Sequence, residues 1–218
     1  FAQAYDNRGS AYQAKGDIDR AIADHDEAIR LDPRYAAAYD NRASAYQAKG
    51  DHDRAIADFD EAIRLDPKNV NAYYDRALAN LYAGALPEAL ADLNQASALN
   101  PKSAYTALWL DIIGQRNKVP SRLSQATSQI DMAAWPAPVI RMFLDQMTPA
   151  AVLAAADNPN AATKVRQVCQ ANFYSGEFAL RQGTKDEGAR LFRLAAGDCP
   201  KTFKGWSLAN AQLKALDA

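Results

Sequence analysis

Histidine and cysteine are scarce in this chain, with two of each among 218 residues. The histidines, His25 and His52, have no cysteine near them in sequence, which argues against a zinc site. No G-x-S-x-G turn occurs, so a nucleophile elbow for a Ser-His-Asp set is missing. Gly183-Thr184-Lys185 resembles part of a phosphate loop but lacks the upstream glycine spacing. Carboxylates at Asp24, Asp26 and Glu27 return at Asp58, Asp60 and Glu61, a repetition that reads as a solvated outer face. No catalytic, cofactor-binding or metal-binding residues are therefore assigned, and the expectation is a protein that is not an enzyme. There is no run of 18 apolar residues, hence no candidate transmembrane segment. A formal net charge of −1 gives no basic field for nucleic acid. Glycine and proline, at ten each, exclude collagen-like and low-complexity classes. What is plentiful is alanine, about a fifth of the chain, the residue that loses least on entering a helix.

The few glycines and prolines are placed regularly. Gly16, Gly50 and Gly84 are 34 apart, and so are Pro33, Pro67 and Pro101. A fixed period of this size signals a repeat architecture. Residues 2–35 and 36–69 agree at 28 of 34 positions without gaps, and 70–103 form a more divergent third copy. The spacing predicts two helices per copy, about 3–15 and 18–31 in the first. Gly16 supplies a left-handed stop, Asp17 or Asp19 a cap for the second helix, and Pro33 follows its end. So short a turn makes the two helices antiparallel. Ala21, Ala28, Ala55, Ala62, Ala89 and Ala96 face inward, opposite Gly9, Ala43 and Ala77. His25 stands where Phe59 does in the next copy and reads as partly buried packing, whereas His52 reads as exposed. Charge is split as well, −5 over 1–103 and +4 over 104–218. That split either orients a partner or favours head-to-tail contacts, or it reflects two differently solvated segments.

These copies resemble tetratricopeptide repeats. The residues that carry the likeness are Tyr5, Gly9, Tyr12, Ala21, His25, Ala28 and Pro33, then Tyr39, Ala43, Tyr46, Ala55, Phe59, Ala62 and Pro67. The third copy contributes Tyr73, Ala77, Ala89, Leu93, Ala96 and Pro101, with Asn80 in place of the tyrosine. Arg8, Arg42 and Arg76 depart from the pattern, which usually has leucine there. The resemblance implies an all-α fold, a right-handed superhelical solenoid of antiparallel helix pairs whose first helices line a concave side.

Past residue 103 the pattern changes. Residues 104–117 resemble the first helix of a fourth copy, and prolines then break 118–160 into short helices. The reading places helices near 138–146 and 149–156, and a long one from about 160 to 182. A further copy over about 169–202 is marked by Gly176, Gly183, Phe192, Ala195 and Pro200, and a last helix over about 201–216 caps the open end. The domain reading is thus 2–103 as three regular repeats, 104–162 as a divergent repeat helix plus irregular short helices, and 163–218 as a repeat-like helix pair with a C-terminal capping helix. In the frame of the last copy, Cys169 and Cys199 face each other across an antiparallel pair, within the Cα separation a disulfide needs. A bond between them and two buried reduced thiols both remain open readings, and a bond would imply an oxidising compartment.

Trp135 with Val139-Ile140, Phe143-Leu144, and Asn172-Phe173-Tyr174 with Gly176, Leu180 and Gly183 are similar to the C-terminal part of a bacterial periplasmic tetratricopeptide lipoprotein adaptor family (new lipoprotein I-like). That resemblance implies an extracytoplasmic adaptor, periplasmic rather than the alternative cytoplasmic setting, which recruits a protease or cell-wall enzyme and forms a homodimer. The chain opens at Phe1 without Met, as a processed or truncated polypeptide does, and no lipobox cysteine or signal peptide is legible in it.

In the repeat family, ligands touch the concave positions of the first helices. Here those positions hold Asp6, Asn7, Ser10 and Gln13 in the first copy and Asp40, Asn41, Ser44 and Gln47 in the second. The third copy supplies Asn71, Tyr74, Asp75, Leu78 and Tyr82, and Trp109 follows from the next helix. The groove runs from polar and acidic to apolar and aromatic, and the expected partner is a protein or peptide client. Asn7 and Asn41 resemble asparagines that bond a peptide backbone in chaperone-binding relatives. Asp6, Asn71 and Asp75 stand where those relatives carry cations for a terminal carboxylate, and the acidic groups among them would repel such a terminus. Two readings stand for Asn7, Asn41 and the arginines beside them: client binding, or hydrogen bonding and ion pairing between repeats. Likewise Trp109 is either an interface anchor or core. The function expected is a non-catalytic interaction scaffold, and the alternative is a structural module that self-assembles.

Overall fold

Each of the near-identical copies folds as helix, tight turn, helix. In the computed structural model, which describes residues 1–200 and 203–217, these are α1 (Ala2–Ala14) with α2 (Ile18–Leu31), α3 (Ala36–Lys49) with α4 (His52–Leu65), and α5 (Val70–Tyr82) with α6 (Leu86–Leu99). Helix α7 (Ala104–Arg116) packs against α6. Gly16, Gly50 and Gly84 take φ of 80°, 79° and 80°, the left-handed conformation that ends the first helix of each copy. Asp17 and Asp51 then cap the second helices, accepting from the amides of Arg20 at 3.3 Å and Arg54 at 3.2 Å. Asp19, the other candidate cap, instead accepts from Lys49 Nζ of the next copy at 2.6 Å.

Alanine is what lets the helices close on one another. Ala21, Ala28, Ala55, Ala62, Ala89 and Ala96 are all fully buried. His25 of the second helix lies against Gly9 in copy 1, Phe59 clusters with Ala43 in copy 2, and Leu93, at the same place in copy 3, is fully buried. His25 is not partly but completely buried, and His52 is half-buried rather than exposed, its ring 5.2 Å from that of Tyr82. A Cβ added to Gly9 would come within 2.8 Å of the His25 ring, closer than real side chains approach. Gly9→Ala should therefore cost about 1–3 kcal/mol through overpacking, read as a lower urea midpoint at unchanged slope.

The arginines at the leucine positions have a clear role. Arg42 donates through Nε and Nη2 to Asp58 at 2.7 and 2.6 Å, and through Nη1 to Asp26 of the preceding copy at 2.6 Å. Arg76 repeats this with Asp92 (2.9 and 2.5 Å) and Asp60 (2.6 Å). Arg8 forks onto Asp24 at 2.7 Å twice. Asp24 and Asp58, which the sequence reading placed on a solvated face, are buried, as is Asp92. Each arginine ties the two helices of its own copy, and Arg42 and Arg76 also bind the copy before.

Chain packing divides at residue 121/122, so α7 groups with the repeats in the first unit. The second unit holds α8 (Leu123–Ala126), α9 (Ala137–Phe143), α10 (Pro149–Ala155), α11 (Ala161–Arg181), α12 (Lys185–Asp198) and α13 (Lys204–Asp217). Among the described residues every regular element is a helix. α11 and α12 form a repeat-like antiparallel pair around Gly183, φ 76°. Gly176 lies so close to Phe192 that a Cβ there would meet its ring at 2.6 Å. Cys169 and Cys199 are joined by a disulfide, Cα–Cα 5.1 Å. Cys169 sits inside the helix that begins at Ala161, which extends upstream of the repeat frame. α13 packs on α12 and α11, with Gly205 against the Cys169 sulfur. The expected start of this last helix and the end of the last copy fall at 201–202, outside the described residues.

Candidate peptide-binding groove

Helices α1, α3 and α5 lie side by side, so the positions read as concave form one continuous strip along the first unit. Asn7, Ser10 and Asn71 are exposed on it, and Gln13, Asp40, Asn41, Ser44, Gln47, Tyr74 and Tyr82 are half-buried. Asp6, Asp75, Leu78 and Trp109 are buried and present little surface to a ligand.

Asp6 shows why. Its carboxylate accepts from His25 Nδ1 at 2.8 Å, from Asn41 Nδ2 at 3.0 and 3.1 Å, and from the Tyr35 hydroxyl at 3.3 Å. Burial works to raise its pKa, but these bonds outweigh burial and hold it below the ordinary carboxylate value. Asp6 thus joins both helices of copy 1 to copy 2, and Asn41 serves the inter-repeat role that was one of its two readings. Gln47 bridges in the same sense, its Nε2 donating to the Asp75 carbonyl at 3.5 Å. Asn7, the counterpart of Asn41, stays exposed.

At the apolar end Trp109 is 0% exposed. It is core of the α5–α7 region, so it cannot anchor a client. The Tyr74 hydroxyl is desolvated by burial, which pushes its pKa far above the usual phenol range. Tyr74 therefore braces the scaffold with most of its side chain. What a ligand meets is a polar strip of amides and hydroxyls with Asp40, Tyr74 and Tyr82 along it. The sequence did not reveal the buried network under this strip, although the joint change of Gly9/Ala43 and His25/Phe59 between two otherwise matching copies was its signal.

Asp24 is also depressed, chiefly by its hydrogen bonds from Arg8. A carboxylate whose folded pKa lies below its unfolded value near 3.9 stabilises above that pH and loses its contribution as pH falls through the folded value. Urea midpoints are therefore expected to stay level from neutral pH to about 5 and to drop below about 4, and Asp24→Asn should flatten that drop.

A family model described as TPR repeat matches residues 9–50 and 44–84. Comparison with curated proteins finds no match. Among solved structures, the first TPR of Spaghetti (RPAP3) bound to the HSP90 peptide SRMEEVD is 27% identical, with 54% of this chain and 93% of that one aligned at a TM-score of 0.53. The Arabidopsis OM64 TPR domain is 27% identical over 52% of this chain and 94% of its own, TM-score 0.51. YrrB, a TPR protein with an unusual peptide-binding site, aligns over 98% of this chain and 92% of its own at 19% identity and a TM-score of 0.53, which shows likeness of fold alone. With its 34-residue period, glycine turns and stacked antiparallel pairs, the first half of this chain consists of tetratricopeptide repeats.

Proposed function

We propose that the chain is a non-catalytic scaffold that holds a protein or peptide client along the strip formed by α1, α3 and α5. The observation that carries this is the row of exposed and half-buried polar side chains, Asn7, Ser10, Gln13, Ser44, Gln47 and Asn71, over a rigid buried network. Amides and hydroxyls in such a row bond an extended backbone at low cost where the helices beneath them are tied together by buried hydrogen bonds. The relative that bears the HSP90 peptide supports a groove of this kind. Of the cationic places of a carboxylate clamp, two hold the buried Asp6 and Asp75 and one the neutral Asn71, so none offers a cation to a free C-terminus and the client binds through an internal segment. The Cys169–Cys199 bond supports an extracytoplasmic setting, and with the sequence resemblance it supports a periplasmic adaptor that brings a protease or cell-wall enzyme to its substrate.

Ser44→Arg tests the site. It puts a long cation at the centre of the strip and touches none of the buried carboxylates. Client recovered by periplasmic crosslinking and pull-down with the wild-type chain should fall at least about tenfold with Ser44→Arg at an unchanged melting temperature, a loss of about 1.4 kcal/mol or more. Equal recovery would move the site off the strip. The charge split of −5 and +4 favours a second reading, head-to-tail self-assembly. In that case light scattering would show client-free oligomers that dissolve as salt rises.

A further inference from the structure

Asp40, Ser44 and Gln47, with Asn41 beside them, fall three and four residues apart on one face of α3, and all four are half-buried. The contacts beneath them fix which atoms they offer. Asp6 is held ionised, and a carboxylate only accepts. The Asn41 nitrogen must therefore be the atom that meets its two oxygens, at 3.0 and 3.1 Å, and the Asn41 amide oxygen turns away. Gln47 is oriented in the same sense. Its Nε2 donates to the Asp75 carbonyl at 3.5 Å, another group that only accepts, and Oε1 turns away from the seam between copies. Asp40 adds a carboxylate and Ser44 a hydroxyl. This face of α3 is thus built of acceptors: a carboxylate, two amide oxygens and a hydroxyl.

No strip position in the three copies holds a lysine or arginine. The two cations of α3 serve other carboxylates. Arg42 gives Nε and Nη2 to Asp58 and Nη1 to Asp26, and Lys49 Nζ donates to Asp19 at 2.6 Å. Residues 1–103 as a whole carry −5. We infer that this face of α3 is a subsite for a cationic side chain, arginine before lysine, in the internal segment of the client; the inference rests on the groove reading above. A guanidinium carries five N–H donors and no acceptor in a planar fork, so it bonds several of these oxygens at once, and a compact ammonium fewer. A client glutamate would set acceptor against acceptor and its charge against Asp40. Donor count and charge complementarity select the same occupant.

Three nonapeptides of alanine and serine, blocked at both ends and carrying arginine, glutamine or glutamate at the centre, test this on the full chain. Titration is read from backbone amide shifts. The arginine peptide should shift α3 amides and bind at least about tenfold tighter than the glutamate peptide, with glutamine between them. Ser44→Asp should tighten the arginine peptide about threefold or more, and Asp40→Asn should weaken it by a similar factor. Melting transitions check that both variants fold, and Ser44→Asp, which touches none of the bonds between helices, carries the test if Asp40→Asn does not fold. Equal affinity for the three peptides with shifts on α3, or no gain from Ser44→Asp, overturns the cation subsite and leaves the groove reading standing. Shifts on α1, α3 and α5 from none of the peptides overturn both.

Discussion

Arg42→Leu, which restores the residue usual in the repeat family, lowers the stability of the first unit by about 3 kcal/mol. The leucine fits the position; the loss comes from Asp58, a buried carboxylate left without its cation. Asp26 contributes little, because it is half-exposed and water replaces Arg42 there. The sign of the double mutant is therefore the informative part. Arg42→Leu with Asp58→Leu should recover most of the loss, since an apolar pair in place of a buried ion pair is often neutral or better. Urea denaturation of the four proteins of this cycle gives the coupling directly. If Arg42→Leu alone is neutral, the ladder of arginines does not hold the helices, and the stacking rests on the alanines.

That ladder marks the limit of what the sequence conveys. Period, turns, helix ends and the alanine seam were legible, because Gly16, Gly50 and Gly84 and the prolines act through local backbone conformation. The disposition of Asp24, Asp58 and Asp92 was not. A carboxylate repeated every 34 residues looks the same whether it meets water or an arginine sixteen positions away on the partner helix. Trp109 had two readings, interface anchor and core, and its complete burial decides for core. Its register is that of a groove residue, and register alone does not tell a side chain that faces the groove from one that packs inward. For Asn41 both readings were visible in advance, and Asp6 decided between them.

Reduction of the Cys169–Cys199 bond should destabilise the second unit by about 3–4 kcal/mol, the chain entropy regained when a loop of 30 residues opens. For a unit of this size that shift lowers the melting transition by on the order of 15 °C. The bond closes α11 onto the end of α12, and Gly205 of α13 rests on the Cys169 sulfur, so the effect should reach all three helices. Amide exchange measured with and without reductant gives the location: protection should fall across α11, α12 and α13 and hold in α1–α6. The Cys169→Ala/Cys199→Ala protein should match the reduced wild type, because its core keeps small apolar groups and loses only the crosslink. Were the double alanine protein as stable as the oxidised wild type, the helices would be held by Phe173, Phe192 and the glycine contacts alone. The bond would then carry no structural argument for an oxidising compartment.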